Sequence, residues 1–305
     1  MTNIDIVILW VNPEDKSWRK DYEKFSKLEN RKTEGSTRYR DYGTLNYLFR
    51  GIEKNASWVN NVHLILSSES QVPDWLNRKN ERLRIHYHRE FIPINLLPTF
   101  NSNCIELFLH RIVDLSEHYI LFNDDQFIIN KLDEDMFVID DTPVFCGNEV
   151  KLKFNLCTNN IFKNTLDNNL KFEINYCSDR DIEIKKYTHH HLPEIHVKSN
   201  ERSVVEKNKE MFILSLIESR FRHRSNFTNW VFSDIVQLEN RCLFNRDLYK
   251  DSIYTTMSND LDYEKILSKK IVCMNDKSSV DFELCSGNLK RFLNSIYPNK
   301  SSFEK

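Results

Sequence analysis

The chain has 305 residues, of which 40% are hydrophobic and 12% aromatic, and this composition predicts a globular protein with a substantial core. It contains only five glycines, and neither a G-x-G-x-x-G fingerprint nor a P-loop occurs, which disfavours Rossmann dehydrogenases and P-loop kinases. The formal net charge of −2, with both signs mixed along the chain, gives no indication of a nucleic-acid partner.

The cysteines and the apolar segments bear on where the protein works. Seven cysteines are spread along the chain without a C-x-x-C pair, so we expect reduced, mostly buried thiols in a cytosolic protein. No signal peptide is visible, and no apolar segment approaches the roughly 20 residues that span a bilayer. These features predict a cytoplasmic protein, with peripheral contact at the inner face of the cell membrane left open.

The first third of the chain alternates between strand-like and helix-like segments. Ile4–Trp10 is a short apolar run rich in β-branched residues, which is typical of a buried strand. The spacing of Leu45, Leu48, Phe49 and Ile52 predicts an amphipathic helix within 41–54. Further strands are predicted at 62–66, 83–88 and 118–122, and a second helix at 101–113. This alternation predicts a parallel sheet with right-handed crossovers.

The pattern weakens beyond residue 140. We expect an irregular region with short strands over 140–205 and a largely helical region over 206–240. A strand at 270–273 and a last helix at 286–297 follow. No Pro/Gly-rich linker separates these parts, so we expect one continuous domain with an inserted lobe.

The strongest chemical signal is the LFNDDQF segment, 121–127, which ends a predicted strand. Ligands bind beyond the carboxyl ends of the strands in such sheets, and Asn12 follows the first strand in the same way. The adjacent carboxylates of Asp124 and Asp125 are suited to Mg²⁺, which commonly bridges carboxylates to phosphates. An Asp pair that caps a turn is an equally open interpretation. Asn275-Asp276 ends another strand-like stretch and offers either a further carboxylate ligand or a turn.

Two basic segments are candidates for binding anions. Arg38 and Arg40 precede the predicted helix, with Asp41 near its N-terminus, an arrangement that favours a pyrophosphate. A solvated basic stretch with Asp41 as the N-cap is the alternative. The second segment, 219–224, carries three closely spaced arginines in a region expected to be helical: Arg220, Arg222 and Arg224.

Histidines form a third group of candidates. His189, His190 and His191 cannot all point to one metal ion because neighbouring side chains diverge. One of them could act as a general base or bind phosphate, and a loop histidine with a structural role is the alternative. His86 and His88 share a face of a predicted strand, but no third zinc ligand is visible at a suitable spacing, so a zinc site there is left open.

Taken together, these segments resemble the Stealth family, which includes bacterial capsule phosphotransferases and the lysosomal-enzyme N-acetylglucosamine-1-phosphotransferase. The resemblance lies in four blocks, found at 4–18, at 38–70 with 97–127, at 191–196 with 221–223, and at 271–276. The first block usually reads W-V-D, whereas this chain has Trp10-Val11-Asn12, which leaves a polar contact but no charge. Residues 140–185 match little of the family pattern.

The resemblance implies an α/β fold, like that of nucleotide-sugar transferases of the GT-A or Rossmann type, with a mostly parallel sheet flanked by helices. An irregular inserted region and a helical C-terminal part would complete it. A single domain over 1–305 would consist of a nucleotide-binding part (1–140), a variable part with the possible acceptor region (141–205) and a helical part completing the active site (206–305).

The implied reaction is transfer of hexose-1-phosphate from a nucleotide sugar, expected to be UDP-linked, to a sugar hydroxyl. It would form a phosphodiester and release a nucleoside monophosphate during synthesis of capsular or other surface polysaccharide. The acceptor would be a saccharide or a lipid-linked saccharide. No nucleic-acid partner is expected, and peripheral membrane association with the polysaccharide-assembly machinery stays open.

The resemblance also implies roles for individual residues. Catalysis is assigned to Asp125, His191 and Arg222, with the base being either His191 or Asp125. Mg²⁺ or Mn²⁺ is assigned to Asp124, Asp125, Asn275 and Asp276. Substrate binding is assigned to Trp10, Asn12, Arg38, Arg40, Asp41, Asn101, Asn103 and Asn123.

Two other classes of function share parts of this pattern. An ordinary metal-dependent glycosyltransferase would use a similar fold and acidic motif but would release a nucleoside diphosphate. A catalytically inactive polysaccharide-binding or scaffold protein is a third class, and the carboxylates retained at 124, 125 and 276 argue against it.

Overall fold

The computed structural model describes residues 3–31, 37–155, 158–258 and 261–305. The strands are β1 Ile4–Leu9, β2 Val62–Leu66, β3 Leu83–Tyr87, β4 His118–Asn123, β5 Gln126–Ile128, β6 Val138–Ile139, β7 Thr142–Phe145, β8 Glu149–Val150, β9 Lys186–Tyr187, β10 Glu194–Val197, β11 Leu243–Phe244, β12 Ser252–Thr256 and β13 Ile271–Asn275. The α-helices are α1 Lys16–Leu28, α2 Leu45–Asn55, α3 His88–Phe91, α4 Ser102–Leu107, α5 Ile161–Ser178, α6 Lys198–Lys207, α7 Lys209–Ile217, α8 Trp230–Leu238, α9 Asp247–Lys250, α10 Tyr263–Leu267 and α11 Phe282–Ile296.

The central sheet has the strand order β10-β4-β1-β2-β3. Strands β4, β1, β2 and β3 are parallel, and β10 joins the β4 edge in the antiparallel direction. Every residue of β2 is buried. This agrees with the prediction, since a continuous apolar run is typical of a strand covered on both faces. The predicted α/β class with a mostly parallel sheet flanked by helices is confirmed.

Helix α2 covers one face of this sheet with the predicted apolar stripe. Leu48, Phe49 and Ile52 have no exposed surface, and each such side chain contributes roughly 1.5–3 kcal/mol to folding. Gly51 lies where α2 crosses β5, and a Cβ at this position would be 3.0 Å from the carbonyl oxygen of Ile128. Glycine therefore lets the helix approach this strand closely. The opposite face of the sheet packs against α4, α6 and α8 through a second apolar cluster.

A smaller sheet, β12-β13-β5, continues from the end of β4. After β4 the chain turns at Asp124-Asp125 and runs on as β5, which pairs antiparallel with β13 so that Gln126 lies opposite Cys273. The amide of Met274 donates a hydrogen bond to the carbonyl oxygen of Asp125 (2.8 Å). This pairing places the end of β13 beside the acidic turn after β4. Two further small sheets, β11-β7-β6 and β8-β9, lie in the second half of the chain.

The expectation that 140–205 is irregular is wrong over α5 and α6. Helix α5 begins at Ile161 and is capped by Asn160, whose side chain accepts a hydrogen bond from the amide of Lys163. Its packed face carries buried polar groups that find partners, since Asn169 binds Thr228 and Glu173 binds Lys186. A helix that buries polar residues lacks the hydrophobic periodicity on which the prediction relied.

Three other predicted helices have different bounds in the structure. The helix expected over 101–113 is shorter, with α4 followed by a 3-10 turn at Leu109–Arg111. The last helix begins at Phe282 instead of 286, because Asp281 caps it by accepting a hydrogen bond from the amide of Leu284. In the region expected to be largely helical, residues 218–229 are not in a helix, so the three arginines at 220, 222 and 224 lie between α7 and α8.

The cysteines of the described ranges form no disulfide bond with one another, and four of them are buried: Cys104, Cys177, Cys273 and Cys285. Cys157 lies outside the described residues. None of the helices in the described ranges is both long and apolar enough to cross a membrane.

The C-terminal segment is fixed to α2 by an ion pair that the sequence did not indicate. Arg50 donates to both carboxylate oxygens of Glu304 (2.7 Å each) and to the carbonyl oxygen of Tyr297 (2.8 Å). Only 10% of the Arg50 side chain and 4% of the Glu304 side chain are exposed. Burial opposes the charge of Glu304, but the hydrogen bonds from Arg50 lower its pKa from 4.5.

We expect Glu304→Gln to lower the free energy of unfolding at pH 7 by about 3 kcal/mol, because Arg50 would then be left buried without its counter-charge. The lowered pKa means that this stability is fully present above the ordinary pKa of 4.5 and is lost as the pH falls through the lower pKa of the folded protein. The free energies of unfolding of the two proteins, measured in urea, should therefore converge once the pH lies below the lowered pKa of Glu304. Glu69→Gln is the matched control, because its ion pair with Arg78 is exposed. Equal stability of wild type and Glu304→Gln at pH 7 would contradict the assignment.

Candidate active site

A cleft of about 530 Å³ opens at the carboxyl ends of the central strands. Its lining includes the residues that follow β1, β2 and β4, and also those at the end of β13, as the topology of a parallel sheet predicts. Segment 38–44, the start of α4 and Arg222 close the other sides. The cleft thus gathers residues from widely separated parts of the chain.

Most of the candidate site residues line this cleft: Trp10, Arg38, Arg40, Asp41, Asn123, Asp124, Asp125, His191, Arg222, Asn275 and Asp276. Three others, Asn12, Asn101 and Asn103, are not among the described residues that line it. The Asn12 side chain accepts a hydrogen bond from the amide of Glu14. Asn101 caps α4 and donates to Asn226 (2.8 Å), and Asn103 is buried within α4. These contacts give the side chains of Asn12 and Asn101 structural partners, and binding of substrate by all three residues stays a prediction.

Carboxylates crowd one wall of the cleft. Burial, followed by the charges of Asp125 and Asp41, raises the pKa of Asp124 to about 7. Burial also raises the pKa of Asp41, which does not cap α2 but accepts a hydrogen bond from the amide of Gly43 (2.8 Å). Like charges this close are unfavourable unless a proton or a cation compensates for them. Oxygen ligands of this kind suit a hard divalent cation.

Asp125 lies beside a histidine and a thiol. Its Oδ2 is 3.7 Å from Nε2 of His191, whose side chain is 44% exposed and therefore accessible from the cleft. Burial and the charge of Asp125 raise the pKa of the Cys273 thiol, so this thiol stays protonated. The ligand-type atoms of Asp125, His191 and Cys273 lie within 4.8 Å of one another. Cys273 was not predicted, although it lies three residues before Asp276 in the CMND segment.

Asp276 is held by an arginine on the same wall. Arg40 donates from Nε to Oδ2 (2.7 Å) and from Nη2 to Oδ1 (2.6 Å), and Tyr42 donates its hydroxyl to Oδ1 (2.6 Å). The Arg40 guanidinium also lies over the ring of Phe282, 4.8 Å from its centre. Arg40, predicted to bind substrate, and Asp276, predicted to bind metal, thus neutralise each other's charge. Binding of a substrate anion by Arg40 or of a cation by Asp276 requires this ion pair to open or to share its charges with the ligand.

Arg38 and Arg222 form the opposite electrostatic feature. Neither makes an ion pair within the described ranges, and the Nη2 of Arg222 donates to the hydroxyl of Ser102 (2.6 Å). Burial and the neighbouring charge of Arg38 both lower the pKa of Arg222. Two guanidinium groups without an ion pair among the described residues, although the nearby charge of Glu106 acts favourably on Arg222, make this part of the cleft a favourable site for an anion such as phosphate.

The three consecutive histidines diverge, as predicted. His189 is buried, lies 2.9 Å from Asp234 and stacks on Trp230. Burial opposes its charge, but Asp234 and Glu194 raise its pKa to about 10. His190 stacks on Tyr249, with ring centres 4.0 Å apart. Of the three, His191 is the one that lines the cleft.

An aromatic cluster that was not predicted from the sequence lines one side of the cleft. Trp18, Tyr39 and Phe100 line the cleft and contact one another or Tyr22 with ring centres 5.1–5.5 Å apart. The hydroxyl of Tyr39 donates to the carbonyl oxygen of Phe100 (2.7 Å), which fixes the position of its ring. Flat apolar surfaces of this kind suit a nucleobase or the face of a sugar ring. The sequence feature that could have indicated this cluster is the position of Tyr39 between the two candidate arginines, Arg38 and Arg40.

Comparison of the sequence with known proteins identifies the family of this chain. Residues 38–145 match the family model described as Stealth protein CR2, conserved region 2. The chain is 32% identical to the capsular polysaccharide phosphotransferase WcwK of Streptococcus pneumoniae, over 100% of this chain and 99% of that protein. It is 28% identical to the exopolysaccharide phosphotransferase cps2G of Lactiplantibacillus plantarum (99% and 96% covered). It is 29% identical to the receptor polysaccharide phosphotransferase WefC of Streptococcus oralis (100% of each covered). Because the similarity to these phosphotransferases extends along the full length of the chain, and because the family model matches, the chain belongs to the Stealth family of phosphotransferases.

Proposed function

We propose that this enzyme transfers hexose-1-phosphate from a nucleotide sugar, of the uridine type, to a sugar hydroxyl. The observation that carries the proposal is the pairing of opposite charges across one cleft. Arg38 and Arg222 make no ion pair among the described residues, while Asp124 and Asp125 crowd the wall formed by the β4 turn. A pyrophosphate with a divalent cation satisfies both groups, because its oxygens bind guanidinium groups and metal at the same time.

The proposed cation is Mg²⁺ or Mn²⁺. The raised pKa of Asp124, caused by burial and by its acidic neighbours, supports a cation at this place, and the donors available are hard oxygens. Asp124, Asp125 and the amide oxygen of Asn275 would hold it, since Asp276 is already paired with Arg40. When bound, such an ion withdraws negative charge from the pyrophosphate.

The proposed reaction exchanges one P–O bond for another. The acceptor hydroxyl oxygen attacks the phosphorus atom that carries the sugar, and the bond from this phosphorus to the bridging oxygen breaks. The nucleoside monophosphate leaves with that oxygen. His191 takes the hydroxyl proton, a role supported by its exposure to the cleft, and Asp125 at 3.7 Å orients its ring. Arg38 and Arg222 stabilise the charge on the transferred phosphoryl group.

The acceptor in this proposal is the hydroxyl of a saccharide or lipid-linked saccharide in a capsular or other surface polysaccharide. The relatives named as capsular and exopolysaccharide phosphotransferases support this class. A lipid-linked acceptor would bring the reaction to the surface of a membrane, with the enzyme attached peripherally on the cytoplasmic side.

The products test the proposal. The protein is incubated with Mg²⁺, a panel of nucleotide sugars and a saccharide acceptor, and the released nucleotide is identified by chromatography. We expect UMP from a uridine donor and a product that retains the phosphate in a phosphodiester. Stoichiometric UDP with a phosphate-free product would instead establish the glycosyltransferase reaction.

Alanine at His191 should affect turnover, whereas alanine at His189 should affect the stability of the fold. We expect His191→Ala to fold normally, because the side chain is half-exposed, and to lose at least about 100-fold in turnover, as for loss of a general base. His189→Ala removes the centre of a buried network with Asp234 and should lower the free energy of unfolding by about 3 kcal/mol. Urea unfolding and UMP release separate the two effects. Equal activity of folded His191→Ala and wild type would contradict the role of His191.

A further inference from the structure

Three metal-ligand side chains meet outside the active-site cleft. His63 lies on β2, His86 lies on β3, and Asp114 lies in the segment before β4. One ligand atom from each lies within 4.8 Å of the others. None of the three is among the described residues that line the cleft. This group supplies the third ligand that the sequence did not reveal, with His63 and Asp114 in place of His88, which begins α3 instead.

The distances within the group fit a small transition-metal ion. Nδ1 of His63 is 2.9 Å from Nε2 of His86, and the same Nε2 is 3.6 Å from Oδ1 of Asp114. Two ligands of a tetrahedral zinc ion at about 2.0–2.1 Å lie about 3.3 Å from each other. Small rotations of the side chains would therefore place all three at bonding distance from one ion.

Carboxylates already orient both rings from behind. Nε2 of His63 is 3.1 Å from Asp5, which is itself held by the side chain of Asn60 and the amides of Asn61 and Ser116. Nδ1 of His86 is 3.6 Å from Glu90. A histidine that donates its distal N–H to a carboxylate presents the other nitrogen as a metal ligand, and this support is typical of zinc sites.

The proton positions favour an ion over a simple histidine pair. If neutral His63 donates to Asp5, its Nδ1 is an acceptor and His86 must donate from Nε2. The Nδ1 of neutral His86 then turns a lone pair towards the Glu90 carboxylate, which is repulsive. With a cation between the rings, both distal nitrogens carry protons and both carboxylates accept them.

The site is also accessible. His63 and Asp5 have no exposed surface, whereas 48% of the Asp114 side chain is exposed, so an ion can enter from the Asp114 side and keep a water molecule as its fourth ligand. Arg84 lies 3.6 Å from the other oxygen of Asp114 and balances part of its charge.

We propose that His63, His86 and Asp114 bind one Zn²⁺ ion, which ties β2 and β3 to the segment before β4. The site is separate from the cation site in the cleft and has the nitrogen donors that zinc prefers to magnesium.

The test is a calorimetric titration of the metal-stripped full chain with Zn²⁺. It is run in a His191→Ala background, which removes the second His-containing group found among the described residues, formed with Asp125 and Cys273. Besides any Zn²⁺ taken up by the carboxylates of the cleft, we expect one Zn²⁺ per chain whose binding depends on His86 and Asp114, and a rise in the thermal midpoint of several degrees when the ion is in excess. His86→Gln and Asp114→Asn should each weaken binding at least about 10-fold. Co²⁺ in place of Zn²⁺ should give the visible absorption of a tetrahedral site, lost in both variants.

Asp74→Asn is the matched control, because Asp74 is an exposed acidic residue elsewhere on the surface, and it should bind Zn²⁺ as tightly as the background protein. Circular dichroism checks that each variant folds, and both changed ligands are at least partly exposed, so folding should survive. The proposal is overturned if no Zn²⁺ binds, or if binding is equally tight in His86→Gln and Asp114→Asn. Neither result would affect the proposed phosphoryl transfer, which is read from UMP release with Mg²⁺.

Discussion

Replacing Asp125 by asparagine should reduce turnover at least about 100-fold, because the change removes a charge beside His191 that would also hold the proposed cation. The fold should persist, since the main-chain hydrogen bond from Met274 to Asp125 does not depend on the side chain. Turnover is measured as UMP release from a uridine nucleotide sugar with Mg²⁺ and an acceptor. A chelator should abolish the wild-type reaction, and added Mg²⁺ or Mn²⁺ should restore it.

The matched control for this experiment is Asp74→Asn, which makes the same chemical change at an exposed position outside the cleft. It should retain wild-type turnover and the same response to Mg²⁺. Near-normal turnover of Asp125→Asn in the presence of chelator would refute both the metal requirement and the role of Asp125.

The sequence predicted the parts of the fold that depend on short-range pattern. Strands β1, β2 and β4 were recognisable because they are buried on both faces and therefore read as continuous apolar runs. Helix α2 was recognisable because its apolar residues recur on one side. From these elements alone, Asn123–Asp125 and the residues after β1 could be placed at one edge of the sheet, where the cleft lies.

The partners of individual side chains were not predictable, because they depend on pairings far apart in the chain. Asp276 was predicted as a metal ligand from its place after a strand, but Arg40, 236 residues away, neutralises it. Its position follows from the antiparallel pairing of β5 with β13, which no local pattern specifies. The role of His189 was hidden for the same reason, since its partner Asp234 lies on α8.

Polar interiors account for the largest error in the fold. Helix α5 buries Asn169 and Glu173, and each is compensated by a hydrogen-bonding or charged partner from another segment. A sequence pattern that equates burial with apolar character misses such a helix. The family blocks, by contrast, indicated Asp125, His191 and Arg222 together, and the structure brings all three to the lining of one cleft.

Arg222→Gln should reduce turnover about 1,000-fold or more, in the range seen when an arginine that stabilises a transferred phosphoryl group is removed. Arg222 makes no ion pair with a described carboxylate, and its burial and the nearby charge of Arg38 lower its pKa although the charge of Glu106 opposes this. A guanidinium placed at this electrostatic cost is stabilised when an anion arrives, and most strongly when negative charge develops during transfer. The loss should therefore appear mainly in kcat, measured from UMP release, with a smaller change in KM for the donor.

Arg220→Gln is the matched control, because Arg220 lies two residues away, donates to the carbonyl oxygen of Asn95 and does not line the cleft. It should keep turnover within a few-fold of wild type. Arg222→Lys should recover only part of the lost rate, since an ammonium group keeps the charge but cannot donate to Ser102 and to a phosphate oxygen with the same planar geometry. If Arg222→Gln instead raised KM for the donor with kcat unchanged, Arg222 would bind the ground state and the transition state equally, and its role in the transfer step would be wrong.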